Sequence, residues 1–169
     1  MKTILSRSNR IRLLILFLAL PSLIGANDKG LAHEEISEKD FTIREEMVPM
    51  RDGVRLYTLI LSPMDTTQPM PVILLRTPYN AKRTAGNLSA SSLKAALGTR
   101  YLGPDYIYVF QDIRGRFKSE GDYFMYRAPR GPFNTTSTDE TTDAWDSIDW
   151  LVHSLSTNGR VGIWGTSYH

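Results

Sequence analysis

The chain has 169 residues, of which 41% are hydrophobic and 22% are charged, and its net charge is +2 at pH 7. These proportions are those of a folded globular protein and exclude a disordered or collagen-like chain. Four basic residues lie before position 26 and no acidic ones do, so the rest of the chain carries a charge of −2. We therefore expect no nucleic-acid partner. The absence of cysteine excludes disulfides.

Residues 1–26 have the pattern of a secretory signal peptide. A basic region ends at Arg12, an apolar run covers 13–20, and Gly25-Ala26 offers small residues for cleavage. The apolar run is shorter than the roughly 20 residues that a membrane-spanning helix needs. We expect export to the periplasm or the medium and no stable membrane span after cleavage. An uncleaved anchor is the alternative.

Residues 27–40 form a polar lead-in, and the folded pattern starts at 41. Apolar, β-branched and aromatic runs predict five strands. These cover 42–49, 54–61, 72–75, 106–110 and 161–164. The Asp52-Gly53 turn joins the first two as a hairpin. The third and fourth are continuous apolar runs, which suit strands buried on both faces of a sheet.

The clearest helical pattern lies over 144–155, where apolar residues recur at steps of three and four. Thr141 or Thr142 is predicted to cap this helix, and Asn158-Gly159 to end it. A hairpin followed by alternating strands and helices predicts an α/β fold whose sheet becomes parallel.

The segment from Trp164 to His169 carries the chemistry. A strand that ends in a Gly-x-Ser turn is how many serine hydrolases present their nucleophile, because the sharp turn lifts the hydroxyl clear of the sheet. Ser167 is therefore the candidate nucleophile, and it follows the fifth predicted strand. Taken alone, however, a Gly-x-Ser turn after a strand is also a common structural turn.

A set of motifs follows the leader in a fixed order. They are Met50-Arg51-Asp52-Gly53-Val54-Arg55-Leu56, Arg76-Thr77-Pro78-Tyr79, Gln111-Asp112-Ile113-Arg114-Gly115, Ser119-Glu120-Gly121, Asp143-Ala144-Trp145-Asp146-Ser147-Ile148-Asp149-Trp150-Leu151 and Gly165-Thr166-Ser167-Tyr168. Together they closely resemble the α-amino-acid ester hydrolases, which belong with the cocaine-esterase and X-prolyl dipeptidyl-peptidase type of serine hydrolases. The resemblance implies an α/β-hydrolase fold, a mixed and mostly parallel sheet with flanking helices. Residues 41–169 would be the N-terminal part of that catalytic domain, ending just after the nucleophile turn.

The resemblance also implies a role for each residue of the site. Ser167 would be the nucleophile, and the Tyr168 backbone N–H and the Tyr79 hydroxyl would stabilise the oxyanion. Two preplaced donors oppose the charge that develops on the carbonyl oxygen. No cofactor or metal is implied. The family pattern Gly-x-Ser-Tyr-x-Gly tolerates His169, and for Tyr79 an ordinary loop aromatic is the alternative.

Other titratable residues receive structural interpretations. Asp112 and Arg114 are predicted to form an ion pair that fixes the loop after the fourth strand. Three aspartates of the helix recur three residues apart, and solvation and charge at the helix N-terminus explain them better than a metal site. They are Asp143, Asp146 and Asp149. None of the histidines is placed as the general base; these are His33, His153 and His169.

The sequence thus predicts a serine hydrolase that cleaves an ester or amide through an acyl-enzyme, with water or an amine accepting the acyl group. Its partner would be a small-molecule or short-peptide acyl substrate, most simply an α-amino-acid ester or amide. A homo-oligomer is compatible with this prediction. An X-prolyl dipeptidyl peptidase or a cocaine-esterase-like carboxylesterase is the alternative.

A hypothesis from a different class is a truncated and catalytically dead fragment. The 169 residues include no triad acid or histidine that fits, and loss of triad members removes most of the rate. A sheet that ended at its fifth strand would leave an unpaired edge. On this hypothesis the isolated chain would be inactive and prone to aggregate.

Overall fold

The computed structural model describes residues 41–64, 67–85, 105–165 and 167. Within them the elements are β1 (Phe41–Pro49), β2 (Arg55–Pro63), β3 (Met70–Thr77), α1 (Ala81–Thr84), β4 (Ile107–Asp112), α2 (Glu140–Ser154) and β5 (Thr157–Ile163). The five predicted strands are confirmed, with ends that differ by up to four residues. The predicted signal peptide and lead-in lie outside the described residues.

The strands form one sheet in the order β1-β2-β4-β3-β5. β2 is antiparallel to both β1 and β4, whereas β3 is parallel to both β4 and β5. The predicted change from a hairpin to a parallel sheet is therefore confirmed. Because the carboxyl ends of β3, β4 and β5 lie at one edge, the loops that follow them meet there. In open α/β sheets this edge is where ligands bind.

The central strands of the sheet are buried on both faces, as the apolar runs of β3 and β4 predict, whereas the edge strands β1 and β5 are largely exposed. β4 is buried along its whole length. On one face, Ala81 of α1 packs in a core with the sheet residues Tyr57, Leu59, Leu61, Leu75, Tyr108 and Phe110. On the opposite face, Leu151 of α2 packs with Ile60, Val72, Leu74, Ile107 and Val109.

The ends of α2 differ from the prediction. Asp139, rather than Thr141 or Thr142, is the N-cap: its carboxylate accepts the Thr142 N–H at 2.7 Å, and the Thr142 hydroxyl accepts the Asp139 N–H at 2.8 Å. This reciprocal arrangement satisfies two backbone donors at once. The helix ends at Ser154, and Asn158-Gly159 lies inside β5. Asn158-Gly159 falls in the irregular stretch between Thr157 and Val161, which pair with Met70 and Val72 of β3, so it does not mark the end of the helix.

The buried side of α2 is more polar than the sequence predicts. Its buried residues are Thr142, Asp143, Ser147 and Leu151. Trp145, one of the recurring apolar residues of the predicted helix, is 67% exposed. The reason is a polar strip on the sheet beneath the helix, where the Gln111 side chain accepts hydrogen bonds from the Ser147 hydroxyl at 3.0 Å and from Arg76 Nε at 2.9 Å.

Candidate active site

Ser167 has a backbone conformation that serine rarely adopts. Its φ is 66°, in the left-handed region where Cβ crowds the backbone. Such conformations cost about 1–3 kcal/mol each and cluster at active sites, where the surrounding structure enforces them. The residue is exposed and follows the last residue of β5 by four positions. A strained and exposed serine directly after a strand is the geometry that a nucleophile turn requires.

The strand leading to Ser167 is fixed against the centre of the sheet. Ile163 pairs with Leu74 of β3, and the Trp164 N–H donates to the Leu74 carbonyl at 2.9 Å. A Cβ at Gly162 would lie 3.3 Å from the Ile73 side chain, so the absence of a side chain there allows close packing. The chain therefore leaves β5 at the edge where it also leaves β3.

The second predicted oxyanion donor, the Tyr168 N–H, lies outside the described residues. Thr166 and His169 also lie outside them. The role of Tyr168 stays a prediction.

Tyr79 lies in the loop that follows β3 and is 39% exposed. Its backbone N–H donates to Thr77 Oγ1 at 3.0 Å, and Thr77 is fully buried. Pro78 is buried as well, and its carbonyl accepts a hydrogen bond from Arg116 Nε at 3.2 Å. The loop backbone is thus held by buried groups while the tyrosine itself reaches the surface.

The same loop is fixed at its far end. Asn80 has a left-handed φ of 76° and caps α1 by accepting the Arg83 N–H at 3.1 Å. The next N–H, that of Ala81, donates to the Asp112 carboxylate at 2.6 Å. Asp112 is the last residue of β4 and is 1% exposed. Burial raises the pKa of Asp112, although the backbone hydrogen bonds act in the opposite direction.

The predicted Asp112–Arg114 ion pair is wrong. Arg114 turns instead to the other side of the loop, where it donates to Asp143 at 2.7 and 2.8 Å and to Asp52 at 2.8 and 3.2 Å. Both bidentate contacts are charge-assisted, and the hydrogen bond to Asp143 raises the pKa of Arg114 further. Asp112 instead accepts hydrogen bonds from backbone N–H groups. Asp112 and Arg114 therefore stabilise different parts of the fold.

The prediction for the α2 aspartates is confirmed in part: Asp143 lies in the first turn of the helix, as expected for charge at its N-terminus, but solvation is wrong for Asp143 and Asp146. Asp143 is 1% exposed and pairs with Arg114, and Asp146 accepts the Arg51 backbone N–H at 2.9 Å as well as its guanidinium. Asp149 is exposed and lies 3.4 Å from His153 Nδ1. Among the described residues, no group of acidic or histidine side chains could hold a metal ion.

His153 is the one histidine in the part of the chain that the structure describes. It is exposed in the last turn of α2, and its Nδ1 lies 2.8 Å from the Asp149 carbonyl. The contacts given for His153 are thus with its own helix.

With this geometry in view, comparison with known proteins identifies the family. The sequence model of the X-Pro dipeptidyl-peptidase (S15 family) matches residues 52–169. The chain belongs to this family. The match includes the loop with Tyr79, the Gln111-to-Gly115 motif and the Ser167 turn.

Several members and solved structures share this part of the chain. Cocaine esterase of Rhodococcus sp. (strain MB1 Bresler) is 34% identical over 122 residues, which are 72% of this chain and 18% of the esterase. An aminopeptidase from the marine sediment archaeon Thaumarchaeota archaeon has a TM-score of 0.66 at 46% identity, over 76% of this chain and 22% of its own.

An α-amino acid ester hydrolase has a TM-score of 0.70 at 41% identity, over 88% of this chain and 25% of its own. The predicted α/β-hydrolase fold is therefore confirmed. The chain spans a quarter or less of the length of each of these proteins.

Sequence reasoning missed the groups that hold the Tyr79 loop. Thr77, Asn80 and Asp112 act through backbone N–H groups, and their partners follow from the fold rather than from a spacing in the sequence. One signal was available for Asp112. A carboxylate directly after a buried apolar strand stands at the carboxyl edge of the sheet, where sites form.

Proposed function

We propose that the protein containing this chain is a serine hydrolase and that Ser167 is its nucleophile. The observation that carries the proposal is the left-handed backbone of an exposed serine at the carboxyl edge of the sheet. The Tyr79 loop leaves the neighbouring parallel strand at the same edge. Membership of the family supports the same reaction class.

In the proposed reaction, Ser167 Oγ attacks the carbonyl carbon of an ester or amide while a general base takes its proton. The tetrahedral intermediate collapses to an acyl-serine, and the alcohol or amine leaves with a proton. Water or an amine then attacks the acyl-serine, releases the acyl group and restores the hydroxyl. The Tyr79 hydroxyl and the Tyr168 N–H donate to the oxyanion, each contributing about 3 kcal/mol to transition-state stabilisation.

We propose α-amino-acid esters or amides as the substrate class. Support comes from the α-amino acid ester hydrolase, which shares 41% identity over 88% of this chain. The aminopeptidase, at 46% identity, also bears a name that implies a free amino group next to the scissile bond. The alternatives, an X-prolyl dipeptidyl peptidase and a carboxylesterase, correspond to the family description and to cocaine esterase.

A matched set of substrates separates these alternatives. Alanine p-nitrophenyl ester and p-nitrophenyl propanoate differ only in the α-amino group, and alanyl-proline p-nitroanilide tests dipeptide release. We expect kcat/KM for the alanine ester to exceed that for the propanoate by at least about 100-fold, because a site that pairs with an amino group rejects the analogue lacking it. Equal rates would favour a carboxylesterase, and preference for the anilide would favour the peptidase.

The role of Ser167 is tested by Ser167→Ala. Loss of a serine nucleophile lowers kcat by about a factor of 10⁶ in a comparable hydrolase. Ser156→Ala is a matched control, since Ser156 is also exposed but adjoins the opposite end of β5. Retention of more than about one per cent of kcat in Ser167→Ala, with folding intact, would refute the assignment.

We further propose that the protein is exported, on the basis of the leader over 1–26. Among the described residues, no helix is long and apolar enough to cross a membrane. Cell fractionation with N-terminal sequencing tests the proposal. Cleavage after Ala26 is expected, and a cytoplasmic protein that keeps residue 1 would contradict it.

A further inference from the structure

The Asp112 carboxylate is buried, and its hydrogen bonds go to the backbone. One oxygen accepts the Ala81 N–H at 2.6 Å and the other accepts the Lys118 N–H at 3.3 Å. The Asp112 carbonyl also accepts the Ser119 hydroxyl at 2.6 Å. A carboxylate costs free energy to bury, and an alanine here would leave two backbone donors without their acceptor. The residue therefore joins the loop after β3 to the loop after β4.

The position of Asp112 relative to Tyr79 follows from the register of the sheet. Asp112 pairs with Thr77, the last residue of β3, and the Ile113 N–H extends this ladder by donating to the Thr77 carbonyl at 3.1 Å. The Tyr79 loop is thus held at its start by Thr77 Oγ1 and at its end by the Asp112 carboxylate on Ala81. The residue between Tyr79 and Ala81 already has a left-handed backbone.

A tyrosine that donates to an oxyanion needs such support. Catalytic groups must be held within about 0.5 Å of the productive geometry, and their precision comes from neighbours that lock the backbone and rotamer. The phenol hydroxyl lies at the end of a long side chain, so a small rotation of the loop moves it far. Hydrogen bonds at both ends of the loop oppose that rotation.

We propose that Asp112 is a positioning residue, which holds the loop so that the Tyr79 hydroxyl meets the oxyanion. This inference rests on the proposed function, because it assumes that Tyr79 is an oxyanion donor. Asp112 itself does not touch the substrate. Its effect on the rate passes through Tyr79, and this distinguishes it from a residue that only stabilises the fold.

A double-mutant cycle with alanine p-nitrophenyl ester tests the inference in the intact protein. Tyr79→Phe alone should lower kcat by about 100-fold. Asp112→Ala should lower kcat by about 10-fold to 100-fold, with KM changed by less than about 3-fold, because a misplaced donor affects mainly the transition state. In the Asp112→Ala background, Tyr79→Phe should then cost less than about 3-fold, since the hydroxyl is already out of place.

Asp146 supplies a matched control. Its carboxylate also accepts a backbone N–H from another loop, that of Arg51 at 2.9 Å, but this contact joins the β1–β2 turn to α2. Asp146→Ala should lower the midpoint of urea unfolding and leave the 100-fold effect of Tyr79→Phe intact. If Asp112→Ala does not fold, Asp112→Asn replaces it, because asparagine keeps one acceptor oxygen and the shape of the side chain.

The outcomes separate the two proposals. A Tyr79→Phe variant with normal kcat would contradict the oxyanion role of Tyr79 and, with it, the positioning role of Asp112. The role of Ser167 is tested separately by Ser167→Ala. A costly Tyr79→Phe whose effect is undiminished in the Asp112 background overturns only the positioning role. Loss of the Tyr79→Phe effect in the Asp146 background as well would mean that any destabilised variant behaves so, and would also overturn it.

Discussion

The charged cluster of Arg114, Asp52 and Asp143 and the carboxyl edge of the sheet both bury polar groups, but they satisfy them in different ways. In the charged cluster, the guanidinium of Arg114 is matched by two carboxylates, those of Asp52 and Asp143. At the carboxyl edge, the buried carboxylate of Asp112 is matched by backbone N–H groups. The Arg114 ion pairs connect side chains to one another, whereas the hydrogen bonds of Asp112 hold the backbone of a loop.

The difference supports the proposal that the carboxyl edge is the site and the charged cluster is scaffold. Paired guanidinium and carboxylate groups are mutually satisfied, so the charged cluster has little capacity left for a substrate. At the carboxyl edge the buried Asp112 carboxylate accepts hydrogen bonds from backbone N–H groups. Tyr79 and Ser167 are exposed at this edge. Both residues therefore reach the surface at the edge where we propose the site.

The largest expected effect is the loss of stability on removal of the Arg114 side chain. Arg114→Ala leaves the Asp143 carboxylate buried without its cation, and breaking a buried pair in this way costs about 3–5 kcal/mol. We expect a correspondingly large fall in the free energy of unfolding, measured by urea titration. Arg51→Ala is the control, because its bidentate pair with Asp146 is 39% exposed on the arginine side, and its effect should be much smaller. Equal effects would contradict the distinction.

Gly115, which lies between the charged cluster and the carboxyl edge, tests how closely the backbone is packed there. It follows Arg114 with φ of 68°, and a Cβ there would lie 2.1 Å from the Tyr123 backbone nitrogen. Gly115→Ala should therefore cost more than the roughly 1–2 kcal/mol of a left-handed alanine alone. Gly53→Ala, at φ of 85° with no atom within 4 Å of its Cβ, should cost only that amount. Thermal unfolding of both variants measures this difference. Similar Tm values would contradict it, because they would mean that the backbone near Gly115 shifts to accept a Cβ at little cost in free energy.

The smallest expected effect is a difference in pH dependence. Hydrogen bonds from Arg51 hold the pKa of Asp146 below its usual value, whereas burial raises the pKa of Asp112. A lowered carboxyl pKa adds stability that is present above the unfolded value of 3.8 and is lost as the pH falls through the folded value. A raised pKa has the opposite sign, since the charged form is disfavoured in the folded state.

Stability relative to an asparagine variant makes this difference measurable. As the pH rises from 3 to 7, the advantage of wild type over Asp146→Asn should grow, and its advantage over Asp112→Asn should shrink. Urea midpoints at about five pH values are enough, because a constant offset between variants does not affect the slope. Slopes of the same sign would contradict the opposite directions of the two pKa shifts.

The strands could be predicted because their signals are local. Continuous apolar runs in β3 and β4 and the Asp52-Gly53 turn each determine their element without knowledge of distant neighbours. α1 has only four residues, too few for a periodic pattern. The cap of α2 was misassigned because Asp139 and Thr142 are both good capping residues, and the choice between them depends on the path of the preceding loop.

Part of the proposed site could be predicted from motifs, and part depends on the assembled fold. Ser167 was predicted from the Gly-x-Ser turn after a strand and Tyr79 from the resemblance of its loop. The structure places both after parallel strands, and their catalytic roles stay predictions. The partners of Arg114 were not predictable, because Asp52 and Asp143 lie 62 and 29 residues away in the sequence. The role of Asp112 depends on a register that only the assembled sheet establishes.

Covalent labelling of the intact protein tests the central claim most directly. A fluorophosphonate reacts with an activated serine and forms a stable adduct that peptide mass spectrometry can locate. The account predicts one adduct, on Ser167, together with loss of hydrolysis of alanine p-nitrophenyl ester and no labelling of Ser167→Ala. An adduct on another serine, or continued hydrolysis by protein fully labelled at Ser167, would contradict it.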